Sequence, residues 1–101
     1  MDQVFAGGLF DGEVVLVTGG GTGIGFAAAT EMGRLGAKVA ICGRRAGPLQ
    51  DAVDLLAKEG IEALGLPCDI REPDVVDGFI DAVVARFGRI DVLVNNAGGQ
   101  V

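Results

Sequence analysis

The chain has 101 residues, half of them hydrophobic, with 18 glycines and a net charge of −6 from 14 acidic and 8 basic side chains. That length allows one small domain with its own core, and the negative charge repels phosphodiester backbones and anionic lipid surfaces, so neither nucleic acid nor a membrane is an expected partner. No apolar run reaches the roughly 20 residues of a membrane span, and the N-terminus MDQVFAGGLFDGE has no basic leader region, so a cytoplasmic address is the default expectation.

In chain order, Val14 to Val17 is a continuous apolar run after the turn-like Asp11-Gly12, which predicts a strand buried on both faces. The glycine-rich segment TGGGTGIG follows, from Thr18 to Gly25. Ile24, Ala27, Ala28, Met32 and Leu35 then recur near helical spacing, predicting a helix over about residues 23 to 35 that Gly36 stops in the left-handed conformation. Lys38 to Cys42 is a second apolar strand, leading into Gly43-Arg44-Arg45. Pro48 suits the first turn of the next helix, which turns Leu49, Ala52, Val53 and Leu56 inward.

Ala63 to Leu66 predicts a short third strand, weakened by Gly65 and stopped by Pro67, which delivers Cys68-Asp69-Ile70 to the same edge as the earlier strand ends. Glu72-Pro73 opens a third helix with an apolar stripe of Val76, Phe79, Ile80, Val83, Val84 and Phe87, ended by Gly88. Asp91 to Val94 is the fourth strand. It runs into Asn95-Asn96-Ala97-Gly98-Gly99, small and polar residues that suit a tight turn lying close to a ligand. Cys42 and Cys68 form no CxxC pair and the chain has no histidine, so they read as small buried hydrophobes rather than zinc ligands.

The order βαβαβαβ implies a doubly wound parallel sheet of the α/β class with right-handed crossovers, and the simplest strand order is 3-2-1-4. Two helices then cover one face and one covers the other, and the point of reversal between strands 1 and 4 is where such sheets bind ligands. One helix does not cover what two cover opposite it. Bare apolar surface is therefore expected on strands 2 and 3, and strand 4 is expected to be an unprotected edge. Both features lead to the expectation that residues 1–101 are a portion of a longer protein.

A pyrophosphate is bound by backbone N–H groups at a helix N-terminus, helped by the positive end of the helix dipole, and side chains would block its approach. Gly19 allows the strand to turn sharply, Gly21 and Gly23 admit phosphates, Thr22 can add a hydroxyl, and Gly25 lets the helix pack closely. Spacing alone leaves three readings open: GxxxGxG from Gly19, GxGxxA from Gly23, and the GxGxG of an S-adenosylmethionine-dependent methyltransferase from Gly21. A P-loop is excluded because no GK[ST] follows.

The end of strand 2 helps to choose between cofactors. NAD and S-adenosylmethionine sites usually place a carboxylate there for the ribose hydroxyls, whereas this chain has Arg44 and Arg45, whose guanidinium groups bind a 2′-phosphate in a charge-assisted fork. NADP(H) is thus preferred over NAD(H). Asp69 can accept from an adenine amino group with Ile70 against the ring, although a turn aspartate has the same signature. Asn95 and Asn96 likewise read either as ligand contacts or as turn residues.

Together TGGGTGIG, GRR, CDI at 68–70 and NNAG at 95–98 resemble the short-chain dehydrogenase/reductase family, in its order and spacing, from Leu9 onward. The resemblance selects the TGxxxGxG reading and a Rossmann-type fold. It implies that Gly19, Gly21, Thr22 and Ile24, beside Gly23, line the pyrophosphate, that Arg44, with Arg45 as helper, holds the 2′-phosphate, that Asp69 holds adenine, and that Asn95, Ala97 and Gly98 lie at the nicotinamide-side ribose. LFDGEVVLVTGGGTGIG and NNAGGQ are similar to the enoyl-CoA and dienoyl-CoA reductase branch, which implies a small-molecule substrate such as an acyl-CoA. The family's catalytic Ser, YxxxK and further Asn all follow NNAG, and the chain has no tyrosine, so no catalytic residue is assigned. Residues 1–101 are expected to be inactive alone, and a homo-oligomer is expected only of a longer protein. The rival expectations are a non-catalytic dinucleotide-binding protein and, less favoured, a methyltransferase fragment.

Overall fold

The computed structural model describes residues 9–21 and 23–96. Alternating apolar runs and amphipathic stretches become β1 (Val14–Thr18), α1 (Gly23–Arg34), β2 (Lys38–Gly43), α2 (Ala46–Lys58), β3 (Ala63–Pro67), α3 (Pro73–Phe87) and β4 (Val92–Asn95). All strand pairs are parallel, and the order is β3-β2-β1-β4, as expected from the βα alternation. Thr18 is in register with Cys42 on one side and Asn95 on the other, and Cys42 with Leu66. The chain therefore leaves all four strands along one edge, which is where the predicted site residues cluster.

Element ends follow identifiable local causes. Gly36 and Gly88 adopt positive φ (107° and 88°) where α1 and α3 stop. Pro48 lies in the first turn of α2, which starts two residues earlier at Ala46. Strand β4 begins at Val92 rather than Asp91 because Asp91 is a clamp: its carboxylate accepts from the Val14 N–H at 2.8 Å and its own N–H donates to the Val14 carbonyl at 2.9 Å.

The two sheet faces carry separate cores. Val15, Val17, Val39 and Ile41 pack with Ala29, Leu49, Ala52, Leu56 and Ile61 beneath α1 and α2. Val14, Leu16, Ala40 and Cys42 pack with Cys68, Phe79 and Val83 beneath α3. Of the α1 residues the spacing suggested, Met32 packs against this core, but the fully buried positions are others. Gly25, Ala29, Thr30 and Gly33 are buried, whereas Ile24 is 79% exposed. The reason is close approach: a β-carbon on Gly33 would lie 2.6 Å from Ile61 Cγ2, so only small residues fit at the contact.

A further expectation is corrected on the opposite face. Residues Val39 to Cys42 of β2 are at most 1% exposed, and Ala63 to Leu66 of β3 are half-buried, so these strands are not bare. A helix is about 10 Å across and strands are about 4.8 Å apart, so one helix spans little more than two strands. Helix α3 lies over β1, β2 and the inner side of β3, and the uncovered surface falls on β4 instead. Leu93, in register with Leu16 on that face, is 61% exposed, and Val84 points away from the core at 43% exposure. Among the described residues β4 pairs only with β1, so it is an open edge as expected.

Core packing on the two-helix face should dominate stability. Leu56→Ala should lower the unfolding free energy by about 2–5 kcal/mol, whereas its exposed neighbour Leu55→Ala should change it by less than about 0.5 kcal/mol; urea denaturation followed by circular dichroism checks the contrast.

Candidate functional site

The glycine turn between β1 and α1 is held to β2 by backbone bonds. Gly19 and Gly20 donate to the Cys42 carbonyl at 2.8 and 3.2 Å. A β-carbon on Gly20 would come within 2.5 Å of Ile41 Cγ2, and one on Gly25 would overlap the Gly19 carbonyl. Gly19 and Gly23 have φ of 66° and 60°, which other residues rarely adopt. Gly21 lies against Pro48 and Leu49 at ordinary contact distances. Thus the run is glycine for two separate reasons, a left-handed backbone at 19 and 23 and close packing at 20 and 25. Helix α1 has no acidic residue in its first turn, so its free N–H groups and positive dipole end are uncontested by any side-chain carboxylate of that turn.

The end of β4 is tied to the same turn. The Thr18 hydroxyl accepts from the Asn96 N–H at 2.8 Å and donates to Asn95 Oδ1 at 3.1 Å, and Asn96 Nδ2 donates to the Gly19 carbonyl at 3.4 Å. Asn95 itself is exposed at the edge. The structure thus brings the TGGG and NN segments together across the point where the strand order reverses.

Arg44 and Arg45 follow β2 directly and are both exposed. Every other arginine is paired: Arg34 with Glu59, Arg71 with Asp69, Arg86 with Glu62 and Arg89 with Asp91, at 2.7–3.4 Å. Among the described residues neither Arg44 nor Arg45 has an ion-pair partner, although the chain has six more acidic than basic side chains. Next to them, beyond β3, Asp69 is gripped by Arg71. Nε lies 3.0 Å from Oδ1, Nη2 lies 2.7 Å from Oδ2, and the Arg71 backbone N–H donates to Oδ1 at 3.0 Å. The Arg71 side chain, then its backbone N–H, with a smaller attraction from Arg44, hold the Asp69 carboxyl well below the usual carboxylate range. Ile70 is 37% exposed beside it.

Cys42 and Cys68 are free thiols and both are buried. Burial pushes the Cys42 thiol up to about 11 and raises Cys68 as well, so both are protonated core residues at neutral pH. Of the predicted site residues, Gly19, Gly21, Gly23, Ile24, Arg44, Arg45, Asp69, Ile70 and Asn95 all lie along the carboxyl edge of the sheet. Thr22, Ala97 and Gly98 lie outside the described residues. Sequence reasoning missed Thr18 and Asn96 as the tie between the two segments, and Arg71 as the partner of Asp69. The i, i+2 spacing of an acid and an arginine was the signal for the last.

The family model for short chain dehydrogenases matches residues 13–101. The chain belongs to the short-chain dehydrogenase family. A peroxisomal 2,4-dienoyl-CoA reductase of Arabidopsis thaliana is 43% identical over 100 residues, covering 99% of this chain and 34% of that relative. Among solved structures, a citronellol catabolism dehydrogenase of Pseudomonas aeruginosa PAO1 superposes with a TM-score of 0.88 at 41% identity, over 92% of this chain and 39% of that one. A variant of the actinorhodin polyketide ketoreductase, solved with NADPH, superposes at 0.81 and 42% identity, over 83% of this chain and 32% of that one. The chain therefore spans about a third of the length of the relatives it matches, and its fold is the Rossmann-type sheet of the short-chain dehydrogenases. No described helix is long and apolar enough to cross a membrane.

Two measurements test this geometry. Gly25→Ala should lower the melting temperature, because the new methyl group collides with backbone, whereas Gly47→Ala, at a position with nothing within 4 Å, should leave it close to wild type. Asp69 and Asp91 both ionise below the ordinary carboxylate value, through Arg71 and Arg89 respectively. Their contribution is complete above about pH 4 and is lost as pH falls through the lower folded-state values. Melting temperatures measured from pH 7 to 2 should fall only at the acid end, and Asp91→Asn should blunt that fall.

Proposed function

We propose that residues 1–101 form the NADP(H)-binding portion of a short-chain oxidoreductase that moves hydride between nicotinamide and a carbonyl, a hydroxyl or an activated C=C bond. The observation that carries the choice of cofactor is the pair of guanidinium groups, Arg44 and Arg45, left without carboxylate partners at the end of β2 in an acidic chain. The NADPH bound to the similar actinorhodin ketoreductase supports the same reading. Family membership displaces the methyltransferase alternative.

In this reading Gly19, Gly21, Thr22, Gly23 and Ile24 line the pyrophosphate at the start of α1, and Arg44 with Arg45 holds the 2′-phosphate. Asp69 and Ile70 hold adenine, and Asn95, Ala97 and Gly98 hold the nicotinamide-side ribose. The fit is favourable at the start of α1: Gly23 has φ of 60° and a β-carbon there would meet nothing within 4 Å, so open space lies beside the backbone where a diphosphate would bind. When bound, the nicotinamide supplies or accepts the hydride. This chain's residues bind and orient it through adenosine and phosphates, which turns binding energy into correct placement of the reacting carbon. With no tyrosine or histidine in the 101 residues, the proton-transfer groups belong to residues outside this chain, and the chain alone binds without turnover.

The likeness to a dienoyl-CoA reductase favours an acyl-CoA thioester as the small-molecule substrate of the longer protein, in which a homo-oligomer would also form. A cytoplasmic address rests on composition, while that relative is named as peroxisomal. Arg44→Ala should weaken NADPH by about tenfold or more, the value of a charge-assisted hydrogen bond, and leave NADH nearly unchanged. Titration calorimetry with both cofactors decides it, and equal losses would remove the 2′-phosphate assignment.

A further inference from the structure

The Asp69 carboxylate is the acidic group nearest in role to the two unpaired arginines, and its environment raises a question that the binding reading leaves open. The Cys68 N–H donates to the Gly43 carbonyl at 2.7 Å, so β2 and β3 end side by side, and Arg44 and Asp69 are the next residues outward on each. The attraction of Arg44 reaches the Asp69 carboxylate. Left to itself, that carboxylate would act twice against a 2′-phosphate: it would compete for the Arg44 guanidinium, and it would repel the incoming dianion.

Arg71 prevents both. Its side chain and backbone place three N–H groups on the carboxylate, and the Glu72 N–H to Asp69 carbonyl bond at 3.0 Å fixes the turn that holds them there. The Arg71 Nε also reaches Oδ2 at 3.3 Å, the longest of the four contacts, so Oδ2 is the oxygen less fully engaged by Arg71. The Arg71 side chain is 71% exposed, so the pair sits at the surface of the fold rather than in either core.

We propose that Arg71 is a specificity-determining positioning residue: by forking onto Asp69 it cancels the carboxylate whose attraction reaches Arg44 and leaves Arg44 free for a 2′-phosphate, so it favours NADP(H) over NAD(H) without touching the phosphate. This rests on the NADP(H) reading above. Preference then follows the net charge of the 69/71 pair, which is zero in the wild type, −1 in Arg71→Gln, +1 in Asp69→Asn and zero again in the double variant. A loss of adenine contact affects both cofactors alike and cancels in their ratio.

The experiment is calorimetric titration of the chain and these three variants with NADPH and NADH, reading the ratio of the two dissociation constants, with a circular dichroism melt to confirm folding. Arg71→Gln should reduce the NADPH preference about fivefold, the size of one exposed charge interaction. Asp69→Asn should increase it, and the double variant should return to the wild-type ratio. If Arg71→Gln does not fold, the rise in Asp69→Asn and the return in the double variant decide the matter. Unchanged ratios across all variants, in a wild type that prefers NADPH, overturn the role of Arg71 alone. A wild type with no NADPH preference overturns the 2′-phosphate reading and the role of Arg71 with it.

Discussion

The close approach of the β1–α1 turn to the sheet is the constraint on which the rest of the molecule depends. Two amides of the turn share the Cys42 carbonyl, Gly20 lies where any side chain would strike Ile41, and Gly25 lies where any side chain would strike the turn itself. Because α1 starts this close to the strand ends, its first-turn N–H groups face the carboxyl edge of the sheet. Its fully buried positions are then Gly25, Ala29, Thr30 and Gly33, with Phe26 and Met32 packed partly buried beside them. The packing of α1 and the exposure of its N-terminus at the strand ends are thus consequences of one backbone path.

Charge is distributed with a similar economy of position. Four arginines are neutralised by carboxylates at distances that fix loops: Arg34 joins the ends of α1 and α2, Arg89 supports the Asp91 clamp on Val14, Arg86 reaches Glu62, and Arg71 forks onto Asp69. Individually such exposed pairs contribute little to stability. Their consequence lies in what they leave over, since among the described residues the two arginines without carboxylate partners, Arg44 and Arg45, stand together at the end of β2. In the proposed reading, that pair and the N-terminus of α1 take the phosphates at the two ends of the adenosine half of the cofactor.

Coverage of the sheet is uneven, and the imbalance follows from helix width. Two helices close the α1/α2 face, while α3 crosses the other face over β1 and β2 and leaves Leu93 and Val84 turned to solvent. The apolar residues of β4 that face α1 and α2, Val92 and Val94, are packed against the core, so the strand is half-supported. The short-chain dehydrogenase relatives are about three times as long as this chain, which agrees with a fold unit whose last strand is open on one face and one edge.

The sequence by itself determined the seven elements, their order, the parallel sheet 3-2-1-4 and the family, because apolar runs, helix stops and the spacing of TGGGTGIG, CDI and NNAG are local signals. It also marked Arg44 and Arg45, since their type and place after a strand are read directly. Only the tertiary structure decided which side of α1 is buried, because Gly33 and Ala29 are inward through the proximity of Ile61 and the sheet, not through their own hydrophobicity. It decided likewise that the bare surface lies on β4 rather than β2, which depends on the path α3 takes across the sheet. The bonds among Thr18, Asn95 and Asn96, and the standing of Arg44 and Arg45 as cations without partners, also emerged only there. Each joins groups distant in sequence or depends on what surrounds them in space, and such relations exist only after the chain has folded.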